Sequence, residues 1–256
     1  MDKKVIICDL DGTLAQSKQQ LDKEMVQLLR ALIDRAYVIA IMSGGSFEQY
    51  SEQVLPSLEF TPQAYEQVYL LPTSGAALYR YRNDHWEEVY RHVLSPEDKT
   101  AIVATLSEAA RENGIAPERV YGEQIEDRGS QITYSALGQH APVAEKEKWD
   151  PDHLKRKKIV AYFSERLPQF DIHIGGMTSI DVTHKGIDKT YGVLALSKLL
   201  ALPVASMVYI GDALYPGGND APVRRSGIDC IAVQSVEATK AWLRNFLSQN
   251  RDTHSE

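Results

Sequence analysis

The sequence predicts an α/β protein in which a mostly parallel sheet flanked by helices is interrupted by an inserted α+β domain. Three observations carry this reading. Near both ends of the chain, short apolar runs ending in Gly, Ser or Asp alternate with amphipathic stretches, as expected for parallel strands buried on both faces and joined by helices. In the middle the pattern changes to short polar–apolar runs bounded by turn residues, the signature of antiparallel strands. The first pattern then resumes, so 1–81 and 185–256 read as one discontinuous domain carrying an insert over 82–184.

Val5-Ile6-Ile7-Cys8 is continuously apolar and reads as a buried strand. It runs into Asp9-Leu10-Asp11-Gly12-Thr13. Carboxylates one residue apart at the C-terminal end of such a strand lie where open α/β sheets place their ligands. Held together out of water they repel, which calls for a cation or for a proton kept at raised pKa. All-oxygen donors favour a hard ion, Mg²⁺ ahead of zinc or copper. Gly12 permits an unusual backbone angle at the turn, and Thr13 adds a hydroxyl beside it.

Leu21 to Ala36 repeats Met25, Leu28, Leu29, Leu32 and Ile33 at helical spacing. Tyr37 to Met42 is a second buried strand, ending in Ser43-Gly44-Gly45-Ser46 before a helix from Phe47. A strand, a Gly-rich turn and a helix start aim backbone N–H groups at an anion. Ser43, Gly44, Gly45 and Ser46 are therefore candidate phosphate-binding residues, with Ser46 as a plain helix N-cap the alternative. Val68 to Leu71 is a third strand and Ser74 to Ala77 a turn. Leu78 to Arg82 and Trp86 to Arg91, separated by Asn83-Asp84-His85, read as a hairpin.

In the insert, Ser95 with Asp98 starts a helix that Gly114 ends. Gly122 to Asp127 and Gln131 to Ala136 read as half-buried strands, and Asp150-Pro151 as the opening of another helix. The Lys155-Arg156-Lys157-Lys158 run of that helix reads as a solvated face rather than a nucleic-acid site. Phe170 to Ile174 and Thr178 to Thr183 complete the insert as strands. Beyond it come a helix from Asp188 to Leu200, a strand from Met207 to Ile210 ending in Gly211-Asp212, and a short helix after Asp220. A strand from Ile228 to Val233 and a helix from Val236 to Leu247 close the domain, and the polar residues after Asn250 read as a frayed tail.

Composition bounds the function. The chain has 256 residues, 43% hydrophobic and 25% charged, ordinary for a globular protein with a substantial core. Its formal net charge of −7 gives no general attraction to nucleic acid or acidic membranes. The two cysteines, Cys8 and Cys230, fall inside apolar runs and read as reduced core residues. No signal peptide and no membrane-length apolar stretch is found, so cytoplasm is the expected compartment.

The Asp9-Leu10-Asp11-Gly12-Thr13 motif resembles that of the haloacid dehalogenase superfamily of phosphotransferases. By that resemblance Asp9 is the nucleophile, Asp11 the general acid/base, and Ser43, or Ser46 as its rival, the residue that binds the transferring phosphoryl. Gly211-Asp212 matches the second acidic strand end, which makes Asp212 a direct ligand of Mg²⁺ beside the Asp9 carboxylate and the Asp11 main-chain carbonyl. Asn219 and Asp220 would then support the ion. Lys189, just inside a helix after Gly186-Ile187-Asp188, matches the family cation that neutralises nucleophile and phosphoryl. The resemblance covers almost the whole chain. It implies a Rossmann-like core and an insert of the C2B cap type that closes over the site and reads the substrate.

Within the family the chain looks most like the eukaryotic phosphomannomutases, through Gly175 to Val182, Gly186 to Lys189 and Pro216 to Asp220. Arg128, Ser179 and Asp181 fall on substrate-binding positions of that group. Gln139 and Lys146 stand where it carries arginines. A mutase must grip the idle phosphate of a bisphosphate while its ends reverse, and arginine forks suit that task better than an amide and a point charge. The expectation is a Mg²⁺-dependent phosphatase of a small phosphorylated metabolite, a sugar phosphate, working through an aspartyl-phosphate. Phosphomannomutase activity is the alternative, and a silent sugar-phosphate binder a further one. Neither a nucleic acid nor a membrane is an expected partner, and the reading leaves room for a homodimer.

Overall fold

The computed structural model describes residues 3–250, so the predicted frayed tail lies outside the described residues. In chain order the elements are β1 (Val5–Asp9), α1 (Lys23–Ile33), β2 (Val38–Met42), α2 (Phe47–Gln53), α3 (Leu55–Leu58), α4 (Pro62–Tyr65), β3 (Val68–Leu71), β4 (Ala77–Arg82) and β5 (His85–Arg91). Then come α5 (Pro96–Glu112), β6 (Ile125–Asp127), β7 (Ile132–Ser135), α6 (Val143–Trp149), α7 (Leu154–Arg166), β8 (Phe170–Ile174) and β9 (Ser179–His184). Last are α8 (Lys189–Leu200), β10 (Met207–Gly211), β11 (Asp229–Ala232) and α9 (Val236–Gln249). They form two compact units, one running to Tyr90 and including Lys189–Pro216 and the chain from Asp220, the other Arg91–Asp188 with Gly217–Asn219.

The first unit is built on a seven-stranded sheet in the order β11-β10-β1-β2-β3-β4-β5. β11, β10, β1, β2 and β3 pair in parallel, and β4 turns back antiparallel on β3. Because side chains alternate along a strand, Ile6 and Cys8 join the core under α1 and α9, while Val5 and Ile7 join the core that includes Val193 and Leu196 of α8. Both faces are covered, which is why these strands read as continuous apolar runs. Each fully buried Ile or Leu here contributes about 1.5–3 kcal/mol.

The two units meet at other residues than the boundaries read from sequence. The hairpin belongs to the first unit, which extends to Tyr90 and resumes at Lys189 rather than breaking at 81 and 185. Asn83 and Asp84 both take positive φ, 50° and 62°, as a two-residue hairpin turn demands, so β5 lies next to β4 as the edge strand of the same sheet.

The second unit is a four-stranded antiparallel sheet in the order β6-β7-β9-β8. Ile132, Tyr134, Ile180 and Val182 bury one face in a core shared with Ile102 and Leu106 of α5 and Ile159 and Phe163 of α7. The opposite face is polar. Ser95 caps α5 by accepting from the Asp98 N–H at 3.0 Å.

Three readings within this unit are corrected. Gly122–Gln124 is not strand, since its backbone bonds the 135–140 loop through Ser135 N to Gln124 O and Gln139 N to Glu123 O. Asp150-Pro151 does not open α7 directly. Instead the Asp150 carboxylate accepts the Lys155 and Arg156 N–H groups of the first turn. Arg156 is no part of a solvated face: at 1% exposure it shares the inner helix face with Ile159 and Phe163.

Candidate active site

The site forms where β1, β2 and β10 end. Asp9 is 4% exposed, since it is the last residue of a strand covered on both sides. Its Oδ1 accepts from Lys189 Nζ at 2.6 Å. The same ammonium donates to Asp220 Oδ1 at 2.6 Å and lies 3.1 Å from the Tyr209 hydroxyl, which itself donates to Asp220 Oδ1 at 2.6 Å. Asp220 Oδ2 accepts the Ala213 N–H at 3.0 Å. Lys189 is the first residue of α8 and 1% exposed, so the helix start drives its charge inward rather than into water. Burial alone would discharge it, but Asp220 and Asp9 outweigh burial and hold its pKa above the ordinary lysine range.

Carboxylate oxygens of Asp9, Asp212 and Asp220 lie within 4.8 Å of one another. Burial is the main force raising the Asp9 pKa well above the carboxylate range; Lys189 pulls it down, and Asp220 and Asp212 push it further up. Asp212 is pushed up to about 6, first by burial and then by Asp220. Three carboxylates face one ammonium, a surplus of negative charge that a divalent cation would relieve. The donors are hard oxygens, which suits Mg²⁺. Gly12 keeps the cluster open: its φ is +85°, and a Cβ there would fall 2.4 Å from Asp212 Oδ2. Asn219 belongs to the short segment grouped with the second unit.

Asp11 lies two residues past the strand end, just before the turn that Gly12 opens. Its Oδ1 accepts the Lys18 backbone N–H at 2.9 Å and the Gln53 amide at 3.0 Å. Thr13 Oγ1 is buried and has no hydrogen-bond partner among the described residues. At the end of β2, Ser43 is 2% exposed and its Oγ accepts the Gly45 N–H at 3.1 Å. Ser46 takes the capping role, with Oγ accepting from Gln49 N at 3.4 Å. The loop after β3 locks against this turn, Thr73 N donating to Gly45 O and Ser74 N to Ser43 O, both at 2.8 Å. Thr73 and Ser74 hold left-handed φ angles of 50° and 57° to do so, the kind of local strain that collects at functional sites.

The remaining candidates lie in the second unit, on the polar sheet face. Glu126, Thr133, Asp181 and His173 form one row across the four strands by register. Thr133 Oγ1 donates to Asp181 Oδ1 at 2.7 Å, and Arg128 forks onto Glu126 at 2.9 and 2.8 Å. Burial pushes Asp181 above the usual carboxylate range, against the pull of Arg128 and the Thr133 bond. The next row pairs Ser135 with Ser179. Gln139 Nε2 donates to Ser135 Oγ at 3.1 Å and Lys146 Nζ to Gln139 O at 3.3 Å. Arg156 holds the loop before Ser179 by donating to the Gly175 and Gly176 carbonyls, while its Nε meets Asp150 Oδ2 at 2.8 Å.

Sequence reasoning missed Gln53, Tyr209, His173 and Arg156. The first two were signalled only as polar atoms at positions where the pattern calls for an apolar side chain.

Comparison with known proteins adds the relationship. Residues 6–222 match the haloacid dehalogenase-like hydrolase family. A phosphomannomutase of Galdieria sulphuraria is 30% identical over 220 residues, 83% of this chain and 81% of that protein. The Schizosaccharomyces pombe phosphomannomutase is 26% identical over 85% of this chain and 84% of its own length. Among solved structures, an IMP-bound, N-terminally truncated IMP-nucleotidase of Plasmodium falciparum superposes with a TM-score of 0.71 at 17% identity, covering 96% of this chain and 68% of that one. A Streptococcus mutans protein superposes with a TM-score of 0.67 at 17% identity, covering 96% and 100%. At such identity the structural likeness speaks to the fold alone.

Proposed function

The chain belongs to the haloacid dehalogenase-like hydrolases, and on that premise we propose that it is a Mg²⁺-dependent phosphatase of a sugar phosphate. The observation that carries the proposal is the Asp9 carboxylate, held dry with one oxygen engaged by Lys189. Oδ2 is then the oxygen that attacks phosphorus in line, forming an aspartyl-phosphate as the bond to the leaving oxygen breaks. Asp11 gives that oxygen a proton, then takes one from the water that hydrolyses the aspartyl-phosphate. Lys189, fixed by Asp220 and Tyr209, neutralises charge on the transferring group. Ser43, whose Oγ accepts the Gly45 N–H and so keeps its own proton to donate, offers the phosphoryl oxygens a hydroxyl. Asp9, Asp212 and the Asp11 carbonyl are the residues to hold Mg²⁺, with Asp220 behind them; the ion, when bound, offsets negative charge on the phosphoryl. Activity should vanish on chelation and return with Mg²⁺.

Hydrolysis is favoured over mutase chemistry by the second unit. There Gln139 offers an amide and Lys146 a point charge, both within the Ser135 network. Each charge-assisted bond lost from a phosphate clamp costs about 1.5–3 kcal/mol, so a bisphosphate escapes roughly ten to a hundred times faster. Arg128, Ser179 and Asp181 are proposed to read the sugar from the polar sheet face. The two free cysteines fit a reducing compartment such as cytoplasm. Supplying mannose 1-phosphate with a catalytic bisphosphate tests the reading. Release of free phosphate supports it, and stoichiometric conversion to mannose 6-phosphate without phosphate release overturns it in favour of the mutase.

A further inference from the structure

Asp11 has a partner that the resemblance assigns no role. Gln53 ends α2, yet it is only 4% exposed, and its amide reaches across to Asp11 Oδ1 at 3.0 Å. A carboxylate can only accept, so Gln53 must turn Nε2 toward Asp11 and Oε1 away. One turn earlier on the same helix, Gln49 supplies what Oε1 then needs, its Nε2 donating at 2.9 Å. Gln49 in turn lies over the phosphate-loop glycine, where a Cβ on residue 45 would fall 2.0 Å from its Oε1. Two glutamines four residues apart thus form one line of amides from the Ser43–Ser46 turn to the Asp11 carboxylate. Spacing of i and i+4 places them on one helix face. The Lys18 N–H binds the same oxygen, Oδ1, at 2.9 Å.

Resting on the phosphatase reading, we propose that Gln53 is the positioning residue of Asp11. By holding Oδ1 with an amide whose direction Gln49 locks, it presents Oδ2 to the leaving oxygen. In the first step the proton passes from Oδ2 to the leaving oxygen as its bond to phosphorus breaks and the Asp9–phosphorus bond forms. In the second, Oδ2 takes the proton back from the attacking water as the Asp9–phosphorus bond breaks. Gln53 itself exchanges no proton and touches no reacting atom.

The test separates proton delivery from general damage. For p-nitrophenyl phosphate the leaving oxygen departs with little need of a proton, whereas phenyl phosphate needs one. Gln53→Leu keeps the bulk and removes the amide. It should lower kcat/KM for phenyl phosphate by about tenfold or more while changing that for p-nitrophenyl phosphate by less than about threefold. Gln49→Leu, which unlocks the amide without removing it, should show the same split at smaller size, with both variants melting as cooperatively as wild type. Equal losses on the two substrates, or none, would overturn the positioning role. A wild-type protein that hydrolyses neither ester with Mg²⁺ present overturns the phosphatase reading, and this proposal with it.

Discussion

Arg156→Met removes a guanidinium that is 1% exposed and pairs with a fully buried Asp150 side chain at 2.8 Å. The methionine keeps most of the bulk, so the main loss is electrostatic. Deleting one partner of such a pair leaves a buried charge uncompensated and costs about 3–5 kcal/mol. For a protein of this size that is a fall of roughly 6–20 °C in the melting temperature of the unit concerned. The pH dependence has a definite sign. Burial opposes ionisation of Asp150, but the Arg156 bond and the Lys155 and Arg156 N–H groups prevail and hold its pKa below the usual range. A carboxylate depressed in the folded state stabilises above its unfolded pKa, about 3.9, and loses that stabilisation as pH falls through the lower folded value. The gap between wild type and Arg156→Met should therefore be full at pH 7 and narrow below about pH 4. Because Arg156 also holds the Gly175 and Gly176 carbonyls ahead of Ser179, KM should rise more than kcat falls. Melting followed from pH 3 to 8 checks the first part and steady-state kinetics the second. A cost below about 1 kcal/mol at pH 7, the level of an exposed pair, would refute the reasoning.

Two further substitutions probe the first unit. Gly12→Ala forces a Cβ to within 2.4 Å of Asp212 Oδ2 at a φ of +85°; the variant should lose about 1 kcal/mol or more of stability and need markedly more Mg²⁺ for half-maximal activity, as a Mg²⁺ titration would show. Lys189→Met leaves Asp9 and Asp220 without their shared cation, and kcat should fall by about 10²–10³-fold in single-turnover assays.

The sequence made the strand ends legible because a strand buried on both faces is a continuous apolar run, and a charge at its end stands out. Asp9 and Asp212 are such charges, and the structure brings them together with Lys189 and Asp220. What the pattern left hidden depends on tertiary packing. Gln53 and Tyr209 are polar atoms inside regular elements, and only the folded chain shows that they face Asp11 and Lys189. Arg156 was masked by three lysines around it, although its spacing to Ile159 and Phe163 placed it on the inner face. Helix α6 buries none of its residues, so it carries no apolar period to read. The boundary expected at 82 cuts through the hairpin, because an antiparallel edge has the same local signature whichever sheet it joins.

The central claim is that phosphorus passes through Asp9. Wild-type protein mixed with Mg²⁺ and phosphorus-labelled p-nitrophenyl phosphate, quenched in acid within the first turnover and digested, reads this directly. Label on the peptide containing Asp9, absent from Asp9→Asn together with a loss of turnover of more than about 10⁴-fold, is the predicted result. Full turnover with no label on that peptide, or label and near-normal phosphate release in Asp9→Asn, would contradict it.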